Sequence, residues 1–161
     1  MFDGEQFGDQ DDSGSDTVAT VPADTLPTPI DLEYVPAGFS QRPLDPGDNS
    51  SAPEKVRLGR RLFFDPILSA DNQVACATCH RPESAFADNQ KIARGINGRS
   101  GKRNAPTIIN RGYGRIFSWD GRAASLEDQV LMPIVNPDEL GSDLPQLLGE
   151  LKADDSYVRE F

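Results

Sequence analysis

The chain has 161 residues, a formal net charge of −10 and 37% hydrophobic residues, enough for one small domain with tails. The charge is uneven. Residues 1 to 41 carry Asp3, Glu5, Asp9, Asp11, Asp12, Asp16, Asp24, Asp31 and Glu33 with no Lys or Arg, and the other 120 residues hold 17 acids and 16 bases, a net of −1. That balance argues against a nucleic-acid partner. No apolar run is long enough to span a membrane, and the start, MFDGEQFGDQDDSGSD, lacks the basic and apolar regions of a signal peptide.

In chain order, residues 1–50 are rich in Asp, Ser, Gly, Pro and Thr, with Pro at 22, 27, 29, 36, 43 and 46. They read as an extended, disordered acidic tail whose end lies over the domain surface. The folded unit is placed at 51–161. SAPE predicts a capping box with Ser51 as N-cap and Glu54 three residues on, Pro53 standing in the first turn. The helix after it puts Leu58, Leu62 and Phe63 on one face, as a core face requires.

Next comes VACATCH, residues 74–80. It holds both cysteines of the chain, Cys76 and Cys79, and its only histidine, His80. A structural zinc ion needs four ligands, and three adjacent ones with no second cluster do not supply them. A thioredoxin-like pair calls for a βαβ context that the flanks lack. A histidine directly after the second cysteine is the signature of a c-type haem, with Cys76 and Cys79 as thioether anchors and His80 as proximal ligand.

Residues 81–117 are polar, weakly periodic and punctuated by Gly95, Gly98, Gly101, Gly112 and Gly114. They predict a long loop around a cofactor. SLED, 125–128, predicts a second capping box and a helix to about Met132 that ends at Pro133. A third helix starts near Asp143 with Leu144, Leu147, Leu148 and Leu151 apolar, and a fourth near Asp155. The expected class is all-α, with a core that the haem completes.

The face of the iron opposite His80 decides the chemistry: two strong protein ligands suit electron transfer, while an open face suits oxygen chemistry. The chain has no second His. Met132 is the remaining strong candidate ligand, with core packing as its ordinary reading. Gln129 and Glu139 are polar groups nearby in sequence, and Glu139 alone reads as a solvated charge before a helix.

LGRRLFFDPILSADNQVACATCH, RNAPTIIN, SWDGRAASLEDQ and PIVNPDELG, in this order and spacing, resemble the N-terminal haem domain of the bacterial di-haem cytochrome c peroxidases and the related MauG-type enzymes. The similarity runs from about Leu58 to Phe161. It implies a cytochrome c-like domain that reduces hydrogen peroxide to water, with Gln129, Pro133 and Glu139 in the distal pocket and Glu139 as acid and base. It also implies Trp119 as an electron relay between two haems, Asn104 as part of a calcium site between domains, and a small cytochrome c or cupredoxin as donor to a homodimer. Haem propionates would pair with Arg103 or Arg122, a choice left open.

Departures from that pattern matter. The loop KIARGINGRSGKR has no His to block the iron, which favours an open face and leaves a MauG-like oxidation of a protein substrate as an alternative. Ser118 stands where an aromatic often precedes the Trp. The family's C-terminal haem domain is also absent, so the chain is expected to be a fragment, weakly active alone. Covalent haem attachment implies a periplasmic protein whose export signal or lipid-anchor segment lies outside this sequence.

Overall fold

The computed structural model describes residues 31–161 except 44 and 48. The part of the proposed tail before residue 31 therefore lies outside the described residues. The described chain is helical, with five α-helices, four 3-10 turns and isolated bridges in place of strands. Helix α1 spans Pro53–Phe64, α2 Cys76–Cys79, α3 Leu126–Val135, α4 Leu144–Ala153 and α5 Asp155–Val158.

Helix α1 begins with Pro53, whose fixed φ and missing N–H suit a first turn. Its N-cap is Ala52, with no side-chain cap, and not Ser51. The reason is a stronger acceptor nearby. Ser51 gives its N–H and hydroxyl to the Asp45 carboxylate, at 2.9 and 2.6 Å. Those two bonds hold the Asp45 carboxyl below its usual pKa.

Ser125 caps α3 as the sequence predicts, its Oγ accepting the Asp128 N–H at 3.0 Å. The helix does not end at Pro133; it runs on to Val135. Proline removes one hydrogen bond to the preceding turn, but the following turn closes without it. Asn136 donates to the Met132 carbonyl at 3.1 Å, and Leu140 donates to that of Pro133 at 3.1 Å. Asp143 caps α4 through the Gln146 N–H, and Asp154 caps α5 through that of Ser156.

Leu68, Ile134, Leu140, Leu147, Leu151 and Tyr157 form the buried cluster, with Leu58, Leu62, Ile67, Val74, Cys76 and Leu144 packed against it. Each fully buried aliphatic side chain contributes about 1.5–3 kcal/mol. Leu148 points outward, because the stripe of α4 that faces inward is narrower than its apolar run. Phe63 departs from the α1 stripe and sits 6.1 Å from the Phe86 ring.

Tyr157 is the most buried of these side chains. Its hydroxyl donates to Asp65 at 2.8 Å, and the Arg61 guanidinium lies 3.7 Å from its ring centroid. Burial, then the Asp65 bond and charge, push its ionisation upward, so it remains a neutral phenol donor. Tyr157→Phe keeps the ring and removes the donor. The expected loss is about 1.5–3 kcal/mol, the value of a hydrogen bond to a charged group, read as a shift in the denaturation midpoint.

Ahead of the domain, Phe39 stacks on Tyr113 with centroids 3.8 Å apart. Arg42 pairs with Glu33 at 3.5 Å. Among the described residues no helix is long and apolar enough to cross a membrane.

Candidate functional site

Helix α2 is a single turn, and it carries Cys76 and Cys79 three residues apart, on one side of the turn. Both thiols are free. Cys76 packs against the buried cluster, and its ionisation is raised by burial. Cys79 approaches the Arg94 carbonyl at 3.5 Å. Burial first, then the charges of Asp88 and Glu139, push its pKa up to about 11. Both are therefore neutral thiols at physiological pH.

His80 is the C-cap of α2. Its Nδ1 lies 3.1 Å from the Phe86 carbonyl oxygen. A carbonyl only accepts, so this bond places the proton on Nδ1 and leaves the Nε2 lone pair for a metal. The partner carbonyl is delivered by a tight reversal. Ala85 and Phe86 both adopt left-handed backbone, at φ 54° and 58°, which non-glycine residues rarely enter. An Arg81–Ala87 bridge, the Phe86 N–H to Arg81 O bond of 2.7 Å and the Thr107 hydroxyl on the Ala85 carbonyl at 2.6 Å hold the reversal closed.

Glu139 reaches the same neighbourhood from the far end of the chain. Its backbone carbonyl accepts the Ile96 N–H at 2.8 Å, two residues from the Arg94 carbonyl that Cys79 touches. The side chain is exposed, and its Oε1 accepts from the Asn136 amide at 2.8 Å. Gly95 makes this approach possible: a Cβ there would stand 2.5 Å from the Glu139 carbonyl oxygen. Gly141, at φ +63°, completes the turn.

Gln129, Met132 and Pro133 lie on one side of α3. Ser118, the departure noted in the sequence, joins the first two: its hydroxyl donates to Gln129 Oε1 at 2.5 Å and lies 3.5 Å from Met132 Sδ. Gln129 is left with its amide N–H groups to give. Arg122 Nε also lies 3.5 Å from Met132 Sδ, and its guanidinium pairs with Asp120 at 3.1 Å. Pro133 is half-buried and linked to the Glu139 turn through the Leu140 N–H.

Trp119 and Asn104 stand apart. Trp119 is 61% exposed, so neither the core nor a neighbour in the described chain covers it. Asn104 and Arg103 are exposed. Among the described residues no group of three or more His, Cys, Asp or Glu is arranged to hold a metal ion. A surface hollow of about 750 Å³ is lined by Asp65, Pro66, Ile67, Asn72, Glu150 and Asp154, among others, and has none of the motif residues in its wall.

The residues present fit a c-type haem. Two neutral thiols flank one helical turn, and the adjacent imidazole has Nδ1 committed and Nε2 available. Ile92, Ile108, Ile109, Val130 and Leu131 are partly exposed.

Comparison with known proteins agrees with this fit. The sequence model of the di-haem cytochrome c peroxidase family matches residues 53–161. The methylamine utilization protein MauG of Methylorubrum extorquens is 43% identical over 116 residues, 72% of this chain and 33% of that protein. The cytochrome c peroxidase Ccp of Escherichia coli is 38% identical over 109 residues, 67% of this chain and 23% of that protein. The chain thus spans about a third or less of these relatives. The crystal structure of a MauG-like protein associated with microbial copper homeostasis superposes with a TM-score of 0.72 at 34% identity, covering 79% of this chain and 38% of that one.

Proposed function

This chain belongs to the di-haem cytochrome c peroxidase family, and from that premise we propose that residues 51–161 are a peroxide-reducing haem domain. Haem c is the cofactor the family implies. Cys76 and Cys79 would hold it through thioethers, with His80 Nε2 as proximal ligand. Bound there, haem would supply the redox-active iron at which hydrogen peroxide is reduced.

The observation that carries this reading is the shared stretch Arg94–Ile96, bonded to Cys79 on one side and Glu139 on the other. Through the Glu139 backbone it supports a reading in which the Glu139 turn lies on the same loop as the anchoring thiol. Glu139 takes the proton from one peroxide oxygen and returns it to the departing oxygen, which leaves as water. Two electrons and two further protons reduce the remaining oxygen to the second water. Gln129, its Oε1 held by Ser118, directs its amide N–H groups at the peroxide oxygens. Half-buried Pro133 limits water on the same side.

Electrons come from a cytochrome c-type donor or a cupredoxin, and Trp119 relays them. The working protein is periplasmic, since haem c is attached outside the cytoplasm. Asn104 contributes to a calcium site only together with groups beyond those described. A second reading, MauG-like oxidation of a protein side chain, is supported by the 43% identity to a MauG protein over 116 residues.

An electron carrier with Met132 on the iron is the reading to exclude by experiment. Ser118 and Arg122 already engage the Met132 sulfur. The ferric, haem-loaded protein is expected to show a high-spin charge-transfer band that Met132→Leu leaves unchanged. A sulfur-to-iron band lost in Met132→Leu would replace the peroxidase reading with the carrier.

A further inference from the structure

We propose that Asn136 is the positioning residue that aims the Glu139 carboxylate, an inference that rests on Glu139 being the acid and base. Asn136 closes α3, and its backbone carbonyl accepts the N–H groups of both Glu139 and Gly141, each at 2.9 Å. Its side chain has a separate task. Oδ1 accepts the Asp138 N–H at 3.0 Å, and Nδ2 donates to Glu139 Oε1 at 2.8 Å.

These two bonds define each other. A side-chain amide has one accepting end and one donating end. With Oδ1 fixed on a backbone N–H, the other end must present its donors to Glu139. The carboxylate is thereby divided: Oε1 is anchored, and Oε2 is left for the proton. A free glutamate side chain loses rotamer freedom when it is fixed, and Asn136 restricts it before substrate arrives. Pro137 stiffens the turn between the two residues, and Arg99 holds the neighbouring Asp138 carboxylate to one side at 3.2 Å.

The discriminating variant is Asn136→Asp. It keeps an acceptor for the Asp138 N–H, so the turn persists, and it replaces the donor facing Glu139 with an acceptor. A misaimed catalytic group costs on the order of 10²-fold. The expected result is a fall of about 10–100-fold in the rate of the haem-loaded protein with peroxide, at unchanged melting temperature and haem content. In the Glu139→Gln background, Asn136→Asp should cause no further loss.

A second readout is independent of turnover. In the reduced, carbon monoxide-bound protein, the two Asn136 side-chain N–H resonances should be widely separated and slow to exchange. Both properties should vanish in Glu139→Ala. An Asn136→Asp rate within about twofold of wild type while Glu139→Gln is slow, or Asn136 amide resonances indifferent to Glu139→Ala, would overturn this inference alone. A Glu139→Gln rate equal to wild type would overturn the acid–base reading and the inference with it.

Discussion

Glu139→Gln is expected to lower the rate of peroxide reduction by about 10²–10⁴-fold, the range associated with losing a positioned general acid and base. The substitution is nearly isosteric. The Gln oxygen still accepts from Asn136 Nδ2, the bond that Oε1 makes at 2.8 Å, so the turn and the aim survive. The group can no longer take up a proton from peroxide and give it back. Haem content, melting temperature and the resting spectrum are therefore expected to match wild type, and peroxide consumption with a reduced cytochrome c-type donor to collapse. A smaller effect, below about fivefold, would mean that water or another group moves the proton.

Gly95→Ala has the second large effect, and it acts on both stability and activity. The new methyl would meet the carbonyl oxygens of Asp138 and Glu139 and stand 2.6 Å from Glu139 Cα. All three atoms are backbone, so no side chain can turn aside. The loop that carries Ile96 has to retreat from the Glu139 turn, lengthening the 2.8 Å bond between the Ile96 N–H and the Glu139 carbonyl. Overpacking of this kind costs about 1–3 kcal/mol. Because the same loop touches Cys79, the carboxylate also moves relative to the anchored haem, and the folded fraction is expected to lose about 10–100-fold in peroxide reduction. Gly59→Ala is the matched control. Nothing lies within 4 Å of a Cβ at Gly59, and its position inside α1 predicts a gain of about 0.8–1 kcal/mol with no change in rate.

The anchoring half of the site was legible in the sequence because its information is local. Cys76, Cys79 and His80 occupy five consecutive residues, and Ser125, Asp143 and Asp154 announce their helices through a single side chain each. Ser51 misled because capping is a competition, and Asp45, six residues away, offers its hydroxyl a charged acceptor. Pro133 misled because one lost hydrogen bond does not stop a helix whose next turn closes on Met132. The partner that orients His80 was not legible at all. It is a backbone carbonyl, and it depends on left-handed Ala85 and Phe86, which no composition rule marks. Nor does local spacing bring Glu139 to Cys79. That approach needs Gly95 and Ile96 to fold across more than forty residues of chain, and the place of Glu139 in a distal pocket rests on the resemblance to a family.

Rapid mixing of the ferric, haem-loaded protein with hydrogen peroxide tests the central claim most directly. The account predicts a spectral change whose rate rises in proportion to peroxide and requires no prior reduction, because His80 is the chain's only histidine and Met132 is held by Ser118 and Arg122. A ferric spectrum that stays unchanged in a large excess of peroxide would contradict it.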